Sequence, residues 1–256
     1  MTAPTRNTAK LAVVLPEGNI TCETEFPALA PSGLSFHFQR LRREGTALTE
    51  ASLLSMQGNV DAATQALLMP LPAAMVYACT SGTFLTGHDR HADMALRMQA
   101  LSGVPCITTA TAMLRALKRV DAKRILMLTP YPDDINQTEC EFLAHHGIEV
   151  IRADTFGCTD GDQIRALSWQ QVLERARTLQ PNAARADALF LSCTNMPTLP
   201  AIETLEAELG IPVVSSNSVS AWAVLRLAGY RAPIAGIGAL GKLDYQSTIN
   251  REQDHG

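Results

Sequence analysis

Short apolar runs rich in β-branched residues alternate with longer amphipathic stretches along most of the chain. We predict strands over residues 10–15, 74–79, 106–108, 124–129, 149–152, 188–193 and 213–215. We predict helices over residues 35–44, 53–69, 90–102, 111–120, 135–146, 163–180, 200–209 and 218–228. This alternation is typical of βα units that build parallel sheets, so the predicted fold class is α/β.

The chain also repeats itself. Lys10-Leu-Ala-Val-Val-Leu-Pro16 resembles Arg124-Ile-Leu-Met-Leu-Thr-Pro130 at an offset of 114 residues, and Tyr77-Ala-Cys-Thr80 resembles Leu191-Ser-Cys-Thr194 at the same offset. A third pair, which starts at Gly103 and Gly210, repeats at an offset of 107. Buried strands look alike by composition, but three matches in one order favour a duplication. We expect two pseudo-symmetric halves: residues 1–117, completed by 218–256, and residues 118–217.

Composition and charge narrow the class of protein. The 21 Lys+Arg and 25 Asp+Glu residues give a net charge of −4, and no basic run is longer than Arg42-Arg43. This argues against nucleic-acid binding. No apolar run approaches the roughly 18–20 residues of a membrane span, and the N-terminus lacks the apolar segment of a signal peptide. We therefore expect a cytoplasmic protein that binds neither nucleic acid nor membrane.

Two of the six cysteines occupy equivalent positions in the repeat. Cys79 and Cys193 each end an apolar strand and enter a turn of small hydroxyl or amide residues. Open α/β sheets bind ligands at such strand ends, and the amides of the turn can lower the pKa of a thiol or bind a carboxylate. An inert buried cysteine is the ordinary alternative at either position alone. Two facing thiols suit a reaction without a cofactor, in which one attacks or removes a proton and the other donates one. The six cysteines show no C-x-x-C pair or metal-ligand spacing, so we expect no metal.

Several of these segments together resemble the maleate cis-trans isomerases of the aspartate/glutamate racemase superfamily, relatives of the arylmalonate decarboxylases. The resemblance covers nearly the whole chain. It is carried by Asn19-Ile-Thr21 with Glu23-Thr-Glu-Phe-Pro27, Cys79-Thr-Ser-Gly82, Pro130-Tyr131, Cys193-Thr-Asn195 and Gly210-Ile-Pro-Val-Val-Ser-Ser-Asn217.

The resemblance implies a fold and a set of roles. Each half is expected to be a parallel, flavodoxin-like sheet flanked by helices, with the active site in the cleft between the halves. Cys79 matches the nucleophile, which adds to the double bond of maleate, and Cys193 matches the acid/base cysteine. Asn19 matches a carboxylate ligand and Tyr131 a tyrosine that closes over the substrate. Thr80, Ser81, Thr194 and Asn195 are the remaining predicted substrate-binding residues. The superfamily also implies a homodimer and no cofactor.

One departure leaves the substrate open. Maleate isomerases carry an asparagine in the loop where this chain has Asp160 and Asp162, and carboxylates there would repel a dicarboxylate unless protonated or turned away. A racemase acting on an amino acid or hydantoin could use the same two cysteines. An arylmalonate-type decarboxylase fits less well, because those enzymes resemble this pattern but keep only the second cysteine. A non-catalytic, two-lobed ligand-binding protein is the alternative from another class.

Overall fold

The computed structural model describes residues 9–244. Its eight strands are β1 (Ala9–Pro16), β2 (Leu34–Leu41), β3 (Ala74–Tyr77), β4 (Cys106–Thr108), β5 (Arg124–Thr129), β6 (Glu149–Thr155), β7 (Ala188–Leu191) and β8 (Val213–Ser215). The α-helices are α1 (Thr21–Ala28), α2 (Glu50–Leu54), α3 (Val60–Ala66), α4 (Ser81–Phe84), α5 (Asp93–Ser102), α6 (Thr109–Arg119), α7 (Asp133–His145), α8 (Gly161–Arg165), α9 (Trp169–Arg177), α10 (Ile202–Leu209) and α11 (Ser216–Leu227). Short 3-10 helices span Ser55–Asn59, His88–Arg90, Gln180–Arg185, Leu199–Ala201 and Gly238–Lys242.

The strands form two four-stranded sheets with the same topology. Their orders are β2-β1-β3-β4 and β6-β5-β7-β8, and every neighbouring pair is parallel. Helices flank both sheets, which confirms the predicted α/β class and its two similar halves. Strand β3 and strand β7, which precede Cys79 and Cys193, hold the same place in their sheets.

The third repeated segment has a physical reason for its glycines. Gly103 ends α5 and Gly210 ends α10, and both adopt the left-handed conformation, with φ of +71° and +70°. A glycine adopts this conformation at no steric cost. Each then leads into a short strand, and the hydroxyls of Thr108 and Ser215 cap the helices that follow, α6 and α11.

Three helix predictions differ from the structure, and the helix predicted over residues 53–69 is divided into the end of α2, the 3-10 helix Ser55–Asn59 and α3. The predicted helix over residues 35–44 is replaced by strand β2, in which Phe36 and Phe38 alternate with polar residues and pack on Phe26. That two-residue period is the signature of a strand with one covered face. The predicted helix over 163–180 is two helices, because Ser168 forms a capping box with Gln171 and starts α9 anew.

The C-terminal helix returns to the first half of the chain. Helix α11 packs on α6, β3 and β4 and also contacts α1 and β8. Residues 1–8 and 245–256 of the predicted domain ranges lie outside the described residues. Across residues 9–244, no helix has the length and apolar character that crossing a membrane requires.

Candidate active site

A cavity of about 200 Å³ opens at the carboxyl ends of the strands and is lined by residues of both halves. All eight residues predicted from the sequence line it, namely Asn19, Cys79, Thr80, Ser81, Tyr131, Cys193, Thr194 and Asn195. Pockets for drug-sized ligands measure roughly 300–1,000 Å³, so this cavity suits a small acid. Cys79 and Cys193, which hold equivalent positions in the repeat, therefore line the same small cavity.

Cys79 lies between strand β3 and helix α4, and the residue is 4% exposed. Its Sγ accepts a hydrogen bond from the Gly82 amide at 3.3 Å and another from the Ser81 side chain. Burial raises the pKa of Cys79, while these two donors and the nearby Arg43 guanidinium lower it in part. The thiolate of Cys79 is therefore supported by directed donors and by one cation.

Cys193 follows strand β7 in a strained backbone conformation. Its φ is +108°, a region that few residues other than glycine adopt and that occurs often at functional sites. The Ser216 hydroxyl accepts the Cys193 amide at 2.9 Å and the Thr80 hydroxyl at 2.8 Å, so one side chain joins both cysteine-bearing turns. This contact holds the strained turn of the second half against the first.

The environment of the Cys193 thiol differs from that of Cys79. Its Sγ accepts the Asn195 amide at 3.4 Å and a hydrogen bond from Tyr131. Burial nevertheless raises the pKa of Cys193 to about 12, with the charges of Cys79 and Glu139 adding to the effect. The turn amides lower the pKa of each thiol in part, as the sequence predicts, but desolvation by burial is the larger effect and raises the pKa of both cysteines.

Asn19, Thr194 and Asn195 are bound to one another and to neighbouring backbone. The Asn19 amide donates to Thr194 Oγ1 at 3.0 Å and to Cys22 Sγ at 3.3 Å, and its Oδ1 accepts the Cys22 amide. Asn195 accepts the Ile20 amide at 3.0 Å and donates to the Gly18 carbonyl. These bonds join the loop after β1 to the loop after β7. They also engage the polar groups that the sequence assigns to the substrate.

Tyr131 follows strand β5 and is 2% exposed. Its ring packs edge-on against Phe84 of helix α4, with the ring centroids 6.3 Å apart. Ser192, the residue before Cys193, donates a hydrogen bond to the fully buried Glu139 of helix α7 at 2.6 Å. Burial raises the pKa of Glu139 to about 8.

The sequence analysis missed two cationic residues of the cavity. Arg43 follows strand β2, and Arg165 ends helix α8. Residues 42–43 are a basic pair, too short a run to indicate nucleic-acid binding and without a sequence signal that places it at the cavity. The signal for Arg165 was the Asp160-Gly-Asp sequence: an aspartate before a helix is a capping residue, and it places Arg165 one turn later.

Asp160 and Asp162, in the loop that differs from the maleate isomerase pattern, contact protein groups outside the cavity. The Asp160 carboxylate caps α8 by accepting the amides of Asp162 and Gln163, both at 2.9 Å. The Asp162 side chain is 75% exposed and pairs with Arg165. Both are absent from the residues that line the cavity, while Gly161 and Arg165 line it. Asp160 and Asp162 therefore give no reason to exclude a dicarboxylate substrate.

Within residues 9–244, the acidic, histidine and cysteine side chains form no cluster of three or more that could hold a metal ion. The polar groups that line the cavity are thiols, hydroxyls, amides, two guanidinium groups and the Glu17 carboxylate, which accepts the Arg43 amide at 2.9 Å.

Maleate isomerases are similar to this chain in sequence and in fold. A maleate isomerase of Nocardia farcinica is 28% identical over 249 residues, which cover 94% of this chain and 98% of that protein. The crystal structure of a Pseudomonas putida S16 maleate isomerase with maleate matches with a TM-score of 0.85 at 27% identity, covering 91% of this chain and 97% of that one.

A second solved structure bears on the cysteines. It is a cysteine-to-serine variant of the N. farcinica maleate cis-trans isomerase with a covalently bound succinylcysteine intermediate. It matches with a TM-score of 0.83 at 27% identity and covers 92% of this chain and 99% of that one. The family model described as arylmalonate decarboxylase matches residues 13–241. This chain therefore belongs to the arylmalonate decarboxylase family.

Proposed function

We propose that the protein is a cofactor-independent cis-trans isomerase of maleate or a related small carboxylate, with Cys79 as the nucleophile and Cys193 as the acid/base group. The observation that carries the proposal is that two buried thiols, from equivalent strand ends of the two halves, line one small cavity. The similarity to maleate isomerases over more than nine-tenths of the chain supports the choice of reaction.

The reaction follows from the different surroundings of the two thiols. The Cys79 thiolate attacks one alkene carbon of maleate, forming an S–C bond. The π electrons move to the neighbouring carbon, which takes a proton from Cys193. Rotation about the C–C single bond then brings the carboxylates to opposite sides. The Cys193 thiolate takes a proton back, the S–C bond breaks and fumarate forms with no net change in atoms or oxidation state.

Each thiol suits its own half of this exchange. Burial raises the pKa of Cys79, but the Gly82 amide, the Ser81 side chain and Arg43 lower it in part and so favour the thiolate, which is the form that attacks. Cys193, whose pKa is raised to about 12, stays protonated and so begins the cycle as a donor. Its thiolate is a strong base, which suits the return of the proton.

The presence of Cys79 separates this proposal from a decarboxylase of the arylmalonate type. In the pattern that this chain resembles, those enzymes keep only the second cysteine, which suffices to protonate a carbanion left by loss of CO₂. Adding to a double bond requires a nucleophile as well. A racemase would use both thiols, but would exchange the α-proton of its substrate instead of forming a thioether.

Proton NMR in D₂O tests the reaction directly. We expect purified protein to convert maleate to fumarate, or citraconate to mesaconate, and to leave aspartate, glutamate and arylmalonates unchanged. Cys79→Ser and Cys193→Ser should each abolish turnover, and Cys106→Ser, outside the cavity, should not. Deuterium at the α-carbon of an amino acid would show a racemase instead, and CO₂ loss from an arylmalonate would show a decarboxylase.

Alkylation separates an enzyme from a binding protein. Iodoacetamide should label Cys79 at a rate that maleate suppresses, whereas a binding protein gives no reason for a ligand-protected reactive thiol.

We also propose that the chain forms a homodimer in the cytoplasm and that its halves are 1–117 with 218–256, and 118–217. The superfamily resemblance supports the dimer, and light scattering after size-exclusion chromatography tests it.

A further inference from the structure

Arg43 and Arg165 approach the same point of the cavity from opposite halves of the chain. A Cβ added at Gly161 would lie 3.2 Å from Arg165 Nη1 and 3.7 Å from Arg43 Nη2. The segments that carry them are tied together, because the Gly161 amide donates to the Thr46 carbonyl at 3.2 Å and Ala47 pairs with Asp160. Two guanidinium groups thus flank one small region of the lining.

The Arg43 guanidinium forms no salt bridge with any residue in the described part of the chain, although Glu17 accepts the Arg43 backbone amide at 2.9 Å. Burial lowers the pKa of Arg43, and the charges of Glu17 and Asp160 raise it in part. The guanidinium donates to the carbonyl oxygens of Gly45 and Thr46. A guanidinium group has five N–H donors, so several remain for a ligand. A half-buried cation beside another cation is costly, and an anion placed between them would reduce that cost.

Arg165 is held in place by protein atoms. Its Nη1 donates to the Gly18 carbonyl at 3.1 Å, and its Nη2 pairs with Asp162. A Cβ at Gly18 would lie 2.7 Å from Arg165 Nη1, so a side chain at that position would displace the guanidinium. The absence of side chains at Gly18 and Gly161 leaves room for the Arg165 head group beside the cavity.

The residues assigned to carboxylate binding by sequence are already engaged. The Asn19 side-chain amide donates its two N–H groups to Thr194 and Cys22, and the Thr194 hydroxyl donates to the Ala78 carbonyl. The Thr80 hydroxyl donates to Ser216. A dicarboxylate needs donors for two charged groups, and the cationic side chains among the cavity-lining residues are Arg43 and Arg165.

We propose that Arg43 and Arg165 form the subsite for one carboxylate of the substrate and make the enzyme selective for dicarboxylates over monocarboxylates. The inference rests on the proposed isomerase function. Guanidinium groups bind carboxylates through paired N–H donors, which fixes both charge and orientation. One carboxylate held by this pair would leave the other carboxylate and the double bond between the two thiols.

Binding of unreactive ligands tests the subsite without relying on turnover. Succinate has two carboxylates and no double bond, and succinamide, the diamide, replaces both carboxylates by neutral amides of nearly the same shape. Calorimetry on the protein should give tighter binding of succinate than of succinamide. Arg43→Gln and Arg165→Gln should each weaken succinate by roughly 10–100-fold and leave succinamide nearly unchanged.

Two further variants separate the effect of paired N–H donors from that of charge, and the cavity position from a nearby surface position. Arg43→Lys keeps the charge but loses the paired donors, so its affinity for succinate should be intermediate. Arg42→Gln removes the same charge from the exposed neighbouring position, which does not line the cavity, and should bind both ligands as the wild type does. Thermal unfolding of every variant checks that the fold is kept.

The outcomes separate the subsite from the reaction. The subsite is overturned if wild-type protein does not prefer succinate, or if Arg43→Gln and Arg165→Gln keep that preference at its wild-type size. It is also overturned if those variants lose both ligands equally. An arginine-dependent preference in a protein that leaves maleate unchanged supports the subsite and refutes the isomerase. Turnover of maleate with the preference intact in both variants does the reverse.

Discussion

Substitution of Gly82 tests whether the reaction depends on the position of the Cys79 sulfur. A Cβ added at Gly82 would lie 2.9 Å from Cys79 Sγ and 3.1 Å from the Tyr77 hydroxyl. Ordinary contacts between such atoms are about 3.5–4.0 Å, so Gly82→Ala must move the sulfur by roughly 0.6–1.1 Å. A displacement of about 1 Å between reacting groups can reduce a rate about 100-fold. Overpacking of this kind costs about 1–3 kcal/mol of stability.

The assay compares three properties of Gly82→Ala with those of the wild type. We expect kcat/KM for maleate isomerisation to fall by about two orders of magnitude, the iodoacetamide reactivity of Cys79 to change and the free energy of unfolding in urea to drop. Gly58→Ala is the matched control, because Gly58 is exposed and a Cβ there meets nothing within 4 Å. A Gly82→Ala protein with wild-type turnover and thiol reactivity would refute the claim that this sulfur position controls the reaction.

Three further substitutions test other parts of the account. Ser216→Ala removes the acceptor of both the Cys193 amide and the Thr80 hydroxyl, so it should cost roughly 1–3 kcal/mol in urea unfolding and lower kcat; an unchanged kcat would contradict the bridging role. Glu139 binds an extra proton in the folded state between about pH 4.5 and its pKa of about 8, so the wild type loses stability as pH rises through that window. Glu139→Gln should therefore be several kcal/mol more stable than the wild type at pH 8 and lose that advantage near pH 4; a pH-independent difference would contradict burial of this carboxyl. Leu71 is 80% exposed with φ of +56°, so Leu71→Gly should gain about 1 kcal/mol in urea unfolding, and a loss would contradict the strain.

The central part of the site could be predicted because it lies on the regular part of the fold. Strands β3 and β7 read as apolar runs, and parallel sheets bring such strand ends to one edge, so the positions of Cys79 and Cys193 followed from local pattern and repetition. The family resemblance, and not this pattern, points to Tyr131, which follows the end of β5. These residues are fixed by elements whose sequence signal is strong.

The cationic side of the site could not be found in that way. Arg43 and Arg165 lie far apart in the chain and meet only because residues 46–47 pair with residues 160–161 across the two halves. Nothing in either local sequence encodes this pairing. Strand β2 carries a sequence signal of its own, since Phe36 and Phe38 alternate with polar neighbours, but the long gap between the first two predicted strands favours a helix there.

The thiol pKa values show a second limit of sequence reasoning. The presence of donor amides after each cysteine was correctly inferred from the small turn residues, and Gly82 and Asn195 supply them. Their effect depends on how completely the thiols are desolvated, which is set by packing from both halves. Burial raises the pKa of both cysteines despite those donors.

The most direct test of a two-cysteine reaction across one cavity is to stop it after the first bond has formed. Cys193→Ser protein is incubated with maleate, and its intact mass and cysteine-containing peptides are determined. The account predicts a gain of one maleate with no loss of atoms, located on Cys79 and absent from the Cys79→Ser, Cys193→Ser double variant. An adduct on another cysteine, or full turnover by Cys79→Ser protein, would contradict it.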